Sequence, residues 1–183
     1  MRHRSRRPPP GPRPSIAEPR PHLLRAVLAF VRSARLCPGV RRIALVGSLT
    51  TGKPVPKDAD VLVTVDGVDD LGPLARLGRR LKGQGQHINL GADVFLADET
   101  GRYLGRICGY RECHPRALCR ALSCGRRQHL NDDLQIVTLA AELIAAPPVE
   151  LWPRIVRRTD VPADVEEELL GPLARDGDAP MAP

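Results

Sequence analysis

Two carboxylates one residue apart, Asp58 and Asp60, stand in front of the apolar run Val61-Leu62-Val63-Thr64-Val65. Successive side chains of a strand point to opposite faces, so both acids project from the same side. Carboxylates held that close repel, and each raises the pKa of the other unless a cation sits between them. A hard divalent ion such as Mg²⁺ supplies that cation, because it prefers oxygen ligands. Upstream, the run Ile43-Ala44-Leu45-Val46 ends in Gly47-Ser48, a backbone free of a side chain followed by a hydroxyl donor. A glycine lets a phosphate approach the chain closely, and the serine can donate a hydrogen bond to it. The stretch from Ile43 to Val65 therefore points to a metal-phosphate site.

Gly47 to Lys53 also fits most of the phosphate-loop pattern G-x-x-x-x-G-K-[ST], with Lys53 as the phosphate-binding cation. The last position, which should carry the hydroxyl that ligates Mg²⁺, is Pro54. Pro56 follows, and the next apolar run begins within a few residues, so no helix has room to present its N-terminus to the phosphates. A second constellation is Cys108, Cys113, Cys119 and Cys124, spaced C-x4-C-x5-C-x4-C, with His114 and His129 nearby. Four thiolates could hold a structural Zn²⁺ tetrahedrally with no position left for a substrate. Small buried core thiols are the other reading of the same residues. Asp132-Asp133 is a weaker metal pair, since adjacent strand residues face opposite ways, and it suits a turn or helix cap.

Val46-Gly47-Ser48, nine residues, then Asp58-Ala59-Asp60-Val61, then a later carboxylate in Gly91-Ala92-Asp93-Val94-Phe95-Leu96, resembles the nucleotidyltransferase superfamily of the DNA polymerase β type, its minimal members above all. The resemblance spans roughly Leu23 to Leu96. It implies catalytic and metal-ligating roles for Asp58, Asp60 and Asp93, with two Mg²⁺ (or Mn²⁺) ions about 3.5–4 Å apart. It further implies that Gly47 and Ser48 bind a nucleoside triphosphate and that Asp93 helps deprotonate an acceptor hydroxyl. Attack on the α-phosphate would release pyrophosphate; the acceptor could be a small molecule, a protein or an RNA end. Minimal members often pair with a helical partner protein in toxin–antitoxin modules, so a non-catalytic or regulatory partner is the alternative, as is a nucleic-acid-binding module. Members of that subgroup usually carry arginine after Gly-Ser, where this chain has Leu49-Thr50-Thr51-Gly52-Lys53. The plainer reading of the same residues is three unrelated surface acids in loops.

The elements that must position these residues can be read from apolar spacing. Leu23, Leu24, Val27, Leu28, Phe30 and Val31 recur at helical spacing between His22 and Leu36, and Pro38-Gly39 stops that helix. Leu71, Leu74, Leu77 and Leu81 mark a second helix, whose polar face carries Arg76, Arg79, Arg80 and Lys82. Such a run is a solvated face or a set of cations for a triphosphate. Gly83-Gln84-Gly85-Gln86 should end it, and a third strand should run from about Ile88 to Leu96. Strand, loop, strand, helix, strand predicts an α/β (α+β) domain, a small mixed sheet flanked by helices, with a Cys-rich C-terminal extension.

Five segments follow: a basic tail over 1–21, a core over 22–100, the Cys-rich stretch over 101–130, a docking segment over 131–172 and a second tail over 173–183. Met1 to Pro21 holds many arginines and prolines with few large apolar residues, a composition that predicts disorder. Gly101 to Tyr110 could add a strand, Leu134 to Leu139 is β-rich, and Ala140 to Ala145 suits one helical turn. Trp152 is the expected anchor of a docked segment, and Asp164 to Leu170 a short acidic helix. The net charge of +7 and a pI near 9.7 suit an anionic partner, although much of that charge lies in the N-terminal arginines. Of 183 residues 42% are hydrophobic but only 3% aromatic, so Leu, Val, Ile and Ala must fill the core. No apolar run approaches the length of a membrane span, and a cytoplasmic location with reduced cysteines is expected.

Overall fold

The computed structural model describes residues 18–107, 130–131 and 139–177. Helix α1 (Pro19–Ala34) leads into strand β1 (Val40–Val46), a single 3-10 turn (Gly47–Thr50) and β2 (Asp58–Val65). Helix α2 (Gly72–His87) then crosses over to β3 (Gly91–Asp98), followed by β4 (Tyr103–Ile107) and β5 (Leu130–Asn131). Helix α3 (Ala141–Ala145), β6 (Val149–Trp152) and β7 (Val156–Arg157) come next. The last element is helical throughout: α4 (Ala163–Val165), a π-helical stretch (Glu166–Leu170) and α5 (Gly171–Gly177).

The strands form one mixed sheet in the order β5-β4-β3-β2-β1-β6-β7. β2 and β3, joined through α2, run parallel; the other neighbours are antiparallel. The fold is thus α+β with a mixed sheet, as the alternation of elements predicts. Alternating residues of the central strands serve two faces. Ala59, Val61, Val63 and Val65 of β2, with Ala92, Val94 and Leu96 of β3, enter the main core with α1, α2 and the C-terminal helix. Leu62, Phe95 and Ala97 point the other way, into a small cluster with Ala44, Val46 and Ile144. Period two places Asp58, Asp60 and Asp93 on this second face. Arg42 of β1 holds α3 over that face, donating to the carbonyls of Ile144 (2.5 Å) and Ala145 (3.3 Å).

Several sequence expectations need correction. Helix α1 starts at Pro19, inside the expected tail, because a proline in the first helical turn gives up no hydrogen bond there. Helix α2 runs through Gly83 and Gly85 to His87, and β3 begins at Gly91 rather than Ile88. Gly85 lies where the chain returns: a Cβ there would sit 2.7 Å from the Gly91 carbonyl oxygen. It is a close-approach residue, not a stop signal. The segment around Trp152 joins the body as strand β6, paired with β1, with Trp152 half-buried against the main core. The tail expected from residue 173 is helical through Gly177, because Leu173 is buried against the core and Asp176 pairs with Arg32 (2.7 Å). Cys108, Cys113, Cys119 and Cys124 lie outside the described residues, as do Asp132-Asp133 and residues 134–138. Among the described residues, no helix is long and apolar enough to cross a membrane.

Candidate functional site

Three adjacent strands bring the acids together. Val46 of β1 faces Asp60 of β2 across one pairing, and Asp60 faces Asp93 of β3 across the next. Asp58, two residues before Asp60, lies on the same face. One carboxylate oxygen from each of Asp58, Asp60 and Asp93 lies within 4.8 Å of the other two. The chain leaves β1 beside them through Gly47, at φ +71°, a left-handed conformation that glycine adopts without strain. A Cβ at Gly47 would collide with the Asp60 carboxylate, so glycine is required there for space as well as conformation. Ser48 follows in the 3-10 turn, and its Oγ is buried without a hydrogen-bond partner among the described residues. A buried hydroxyl normally finds one, so this Oγ is free to donate to an acceptor that reaches it.

The electrostatics are unusual for a structural cluster. The Asp60 carboxyl is pushed up to about 7, first by its burial and then by the negative charges of Asp58 and Asp93, with Arg106 pulling the other way. Asp93 carries two cations: Lys82 of α2 donates to one oxygen (3.4 Å) and Arg106 of β4 to the other (3.1 Å). Three clustered hard-oxygen donors, of which only Asp93 is paired with cations on both oxygens among the described residues, suit Mg²⁺ or Mn²⁺. The close glycine and the unpartnered hydroxyl suit an anion lying next to that ion. The residues present therefore fit a metal-phosphate pair. Lys82 is legible in sequence as one of several basic residues on α2, but nothing separates it from Arg76, Arg79 or Arg80. Arg106 has no sequence signal, because what distinguishes it is the pairing of β4 with β3.

Lys53 is exposed in the loop that follows the turn, and no helix forms between it and Asp58. The phosphate-loop geometry is thus absent, as Pro54 and Pro56 require. What holds this loop is Arg20, a residue the sequence places in a tail: it is only 8% exposed and donates to the carbonyls of Leu49, Thr51 and Lys53. No family model matches the chain, and searches of curated proteins and of solved structures return no match.

Proposed function

We propose that the chain is a metal-dependent nucleotidyltransferase of the DNA polymerase β type, moving a nucleoside monophosphate from a triphosphate to a hydroxyl acceptor with release of pyrophosphate. The observation that carries this reading is the convergence of Asp58, Asp60 and Asp93 on one point beside a glycine held left-handed against Asp60. Asp58, Asp60 and Asp93 would hold Mg²⁺ or Mn²⁺, which supplies neutralisation of phosphoryl charge. The protein's own groups do the rest. Gly47 lets phosphate oxygens reach the backbone at the end of β1. Ser48 Oγ, buried and unpartnered, donates to one of them. Asp93, at the β4 side of the cluster, would take the proton of the attacking hydroxyl, with Lys82 and Arg106 beside it. The acceptor oxygen attacks the α-phosphorus, the bond to the β-phosphate oxygen breaks, and pyrophosphate leaves. Such a step depends on positioning and on charges fixed before the reaction begins.

A second reading is a non-catalytic partner that keeps the fold. It is favoured by one observation: Lys82 and Arg106 already neutralise Asp93 with protein charges. Pyrophosphate release, measured with Mg²⁺ or Mn²⁺ against a panel of nucleoside triphosphates and hydroxyl acceptors, separates the two. The proposal expects metal-dependent turnover with at least one pair. Tight triphosphate binding without turnover across the panel would favour the second reading.

A further inference from the structure

A guanidinium has five N–H donors in a rigid planar fork. Arg20 uses all five. Nε and Nη2 grip the Asp164 carboxylate at 2.6 and 3.0 Å, Nη1 donates to the carbonyls of Thr51 and Lys53 at 2.9 Å each, and Nη2 donates to that of Leu49 at 3.3 Å. One buried side chain at the start of α1 thereby ties the loop after Gly47-Ser48 to α4, whose Asp164 lies 144 residues away in sequence. Three alternate carbonyls of the loop point inward at a single cation. This fixes the course of residues 49–53 and, through them, the turn that begins at Gly47 against Asp60. The neighbouring hydroxyls close the turn from inside: Thr50 Oγ1 donates to the Gly47 carbonyl (2.8 Å) and Thr51 Oγ1 to that of Ser48 (2.9 Å).

We infer that Arg20 is a positioning residue for the triphosphate: held by Asp164, it clamps the 49–53 loop so that Gly47 and Ser48 meet the phosphates in a fixed geometry. The inference rests on the nucleotidyltransferase reading for its ligand. It assigns the C-terminal helix a part in nucleotide binding, although no residue of that helix belongs to the acid cluster. Lysine cannot stand in for Arg20, because an ammonium has three donors and no fork.

The test is Arg20→Lys, with three measurements on the full chain: Mn²⁺ affinity without nucleotide, affinity for a non-hydrolysable triphosphate with Mn²⁺ present, and hydrogen exchange along the backbone. The expected result is a triphosphate affinity at least tenfold weaker, Mn²⁺ affinity within twofold of wild type, and faster exchange concentrated at 49–54. A role confined to general stability would instead weaken both affinities together and speed exchange throughout, and that outcome overturns the inference. So does wild-type triphosphate affinity in a variant whose wild-type counterpart binds well. A wild type that binds Mn²⁺ but no triphosphate overturns the nucleotidyltransferase reading, and the inference falls with it. Should Arg20→Lys fail to fold, Asp164→Asn, which keeps the three carbonyl contacts but removes the charge that orients the fork, must show the same pattern more weakly; an unchanged triphosphate affinity there overturns the inference equally.

Discussion

Asp60 sits between two like charges and is largely shielded from water, so its carboxyl resists ionisation until about pH 7. The sign of the consequence follows from linkage. An unfolded chain releases this proton near the ordinary value of 3.8, so between about 4 and 7 the folded state holds more protons than the unfolded one. The stabilisation from a protonated Asp60 is therefore complete below about pH 4 and is lost as pH rises through about 7. Metal-free protein should become less stable over that window, by on the order of 2–4 kcal/mol. Divalent metal should cancel the loss, because it replaces the proton as the positive partner. In Asp60→Asn the slope should disappear, and at pH 8 without metal the variant should be more stable than wild type. Denaturant unfolding at pH 5 and pH 8, with and without Mg²⁺, checks each of these outcomes; a wild type equally stable at both pH values without metal would contradict the account of this carboxyl.

Helix α1 and the C-terminal helix carry matched charges along their contact: Arg20 with Asp164, Arg25 with Glu168 and Arg32 with Asp176. Only the first of these pairs is mostly shielded from water, its side chains being 10% and 27% exposed. Exposed pairs contribute little, whereas removing one partner of a shielded pair strands the other charge. Arg32→Ala should thus cost at most ~1 kcal/mol, and Asp164→Ala about 3 kcal/mol. Equal losses in thermal or chemical unfolding would show that burial does not separate the rungs. Helix α2 offers a test in which two rules oppose each other. Alanine is the better helix former by roughly 1 kcal/mol, which alone would make Gly85→Ala stabilising. The Cβ would meet the backbone of Gly91, 2.7 Å from its oxygen, in the turn that starts β3. Backbone cannot swing aside as a side chain can, so Gly85→Ala should destabilise by about 1–3 kcal/mol. A raised melting temperature would mean that the α2–β3 turn adjusts freely.

The molecule places its acid cluster at one end of a two-faced sheet, and the parts legible in sequence are those whose signal is local. Gly47-Ser48 after one apolar run and Asp58-Ala59-Asp60 before the next can be read because period two is a property of neighbouring residues. Asp93 can be picked out because a charge within an apolar strand is conspicuous. What sequence spacing leaves open is adjacency: Asp60 faces Asp93 only because α2 returns the chain for a parallel pairing. Arg106 and Arg20 are not legible beside the acids for the same reason, and Lys82 only as one of four cations on α2. A cation on a solvated face, on a short strand or in a proline-rich lead looks alike in sequence wherever it ends up. Arg20 and Asp164 meet through tertiary packing alone, and the glycines of α2 resemble a helix stop because a close backbone approach and a stop favour the same residue. The β6 strand has little signal because prolines at 147, 148 and 153 bracket it, and prolines so placed resemble a loop. Whether Asp58, Asp60 and Asp93 form a catalytic metal site is decided by pyrophosphate release from Asp60→Asn in a reaction the wild type performs. Removing one ligand charge should remove about 4 kcal/mol of transition-state stabilisation, since each 1.36 kcal/mol is tenfold in rate. Turnover should be at least about a thousandfold lower in a variant that remains folded; turnover equal to wild type would rule out a catalytic metal site at these acids.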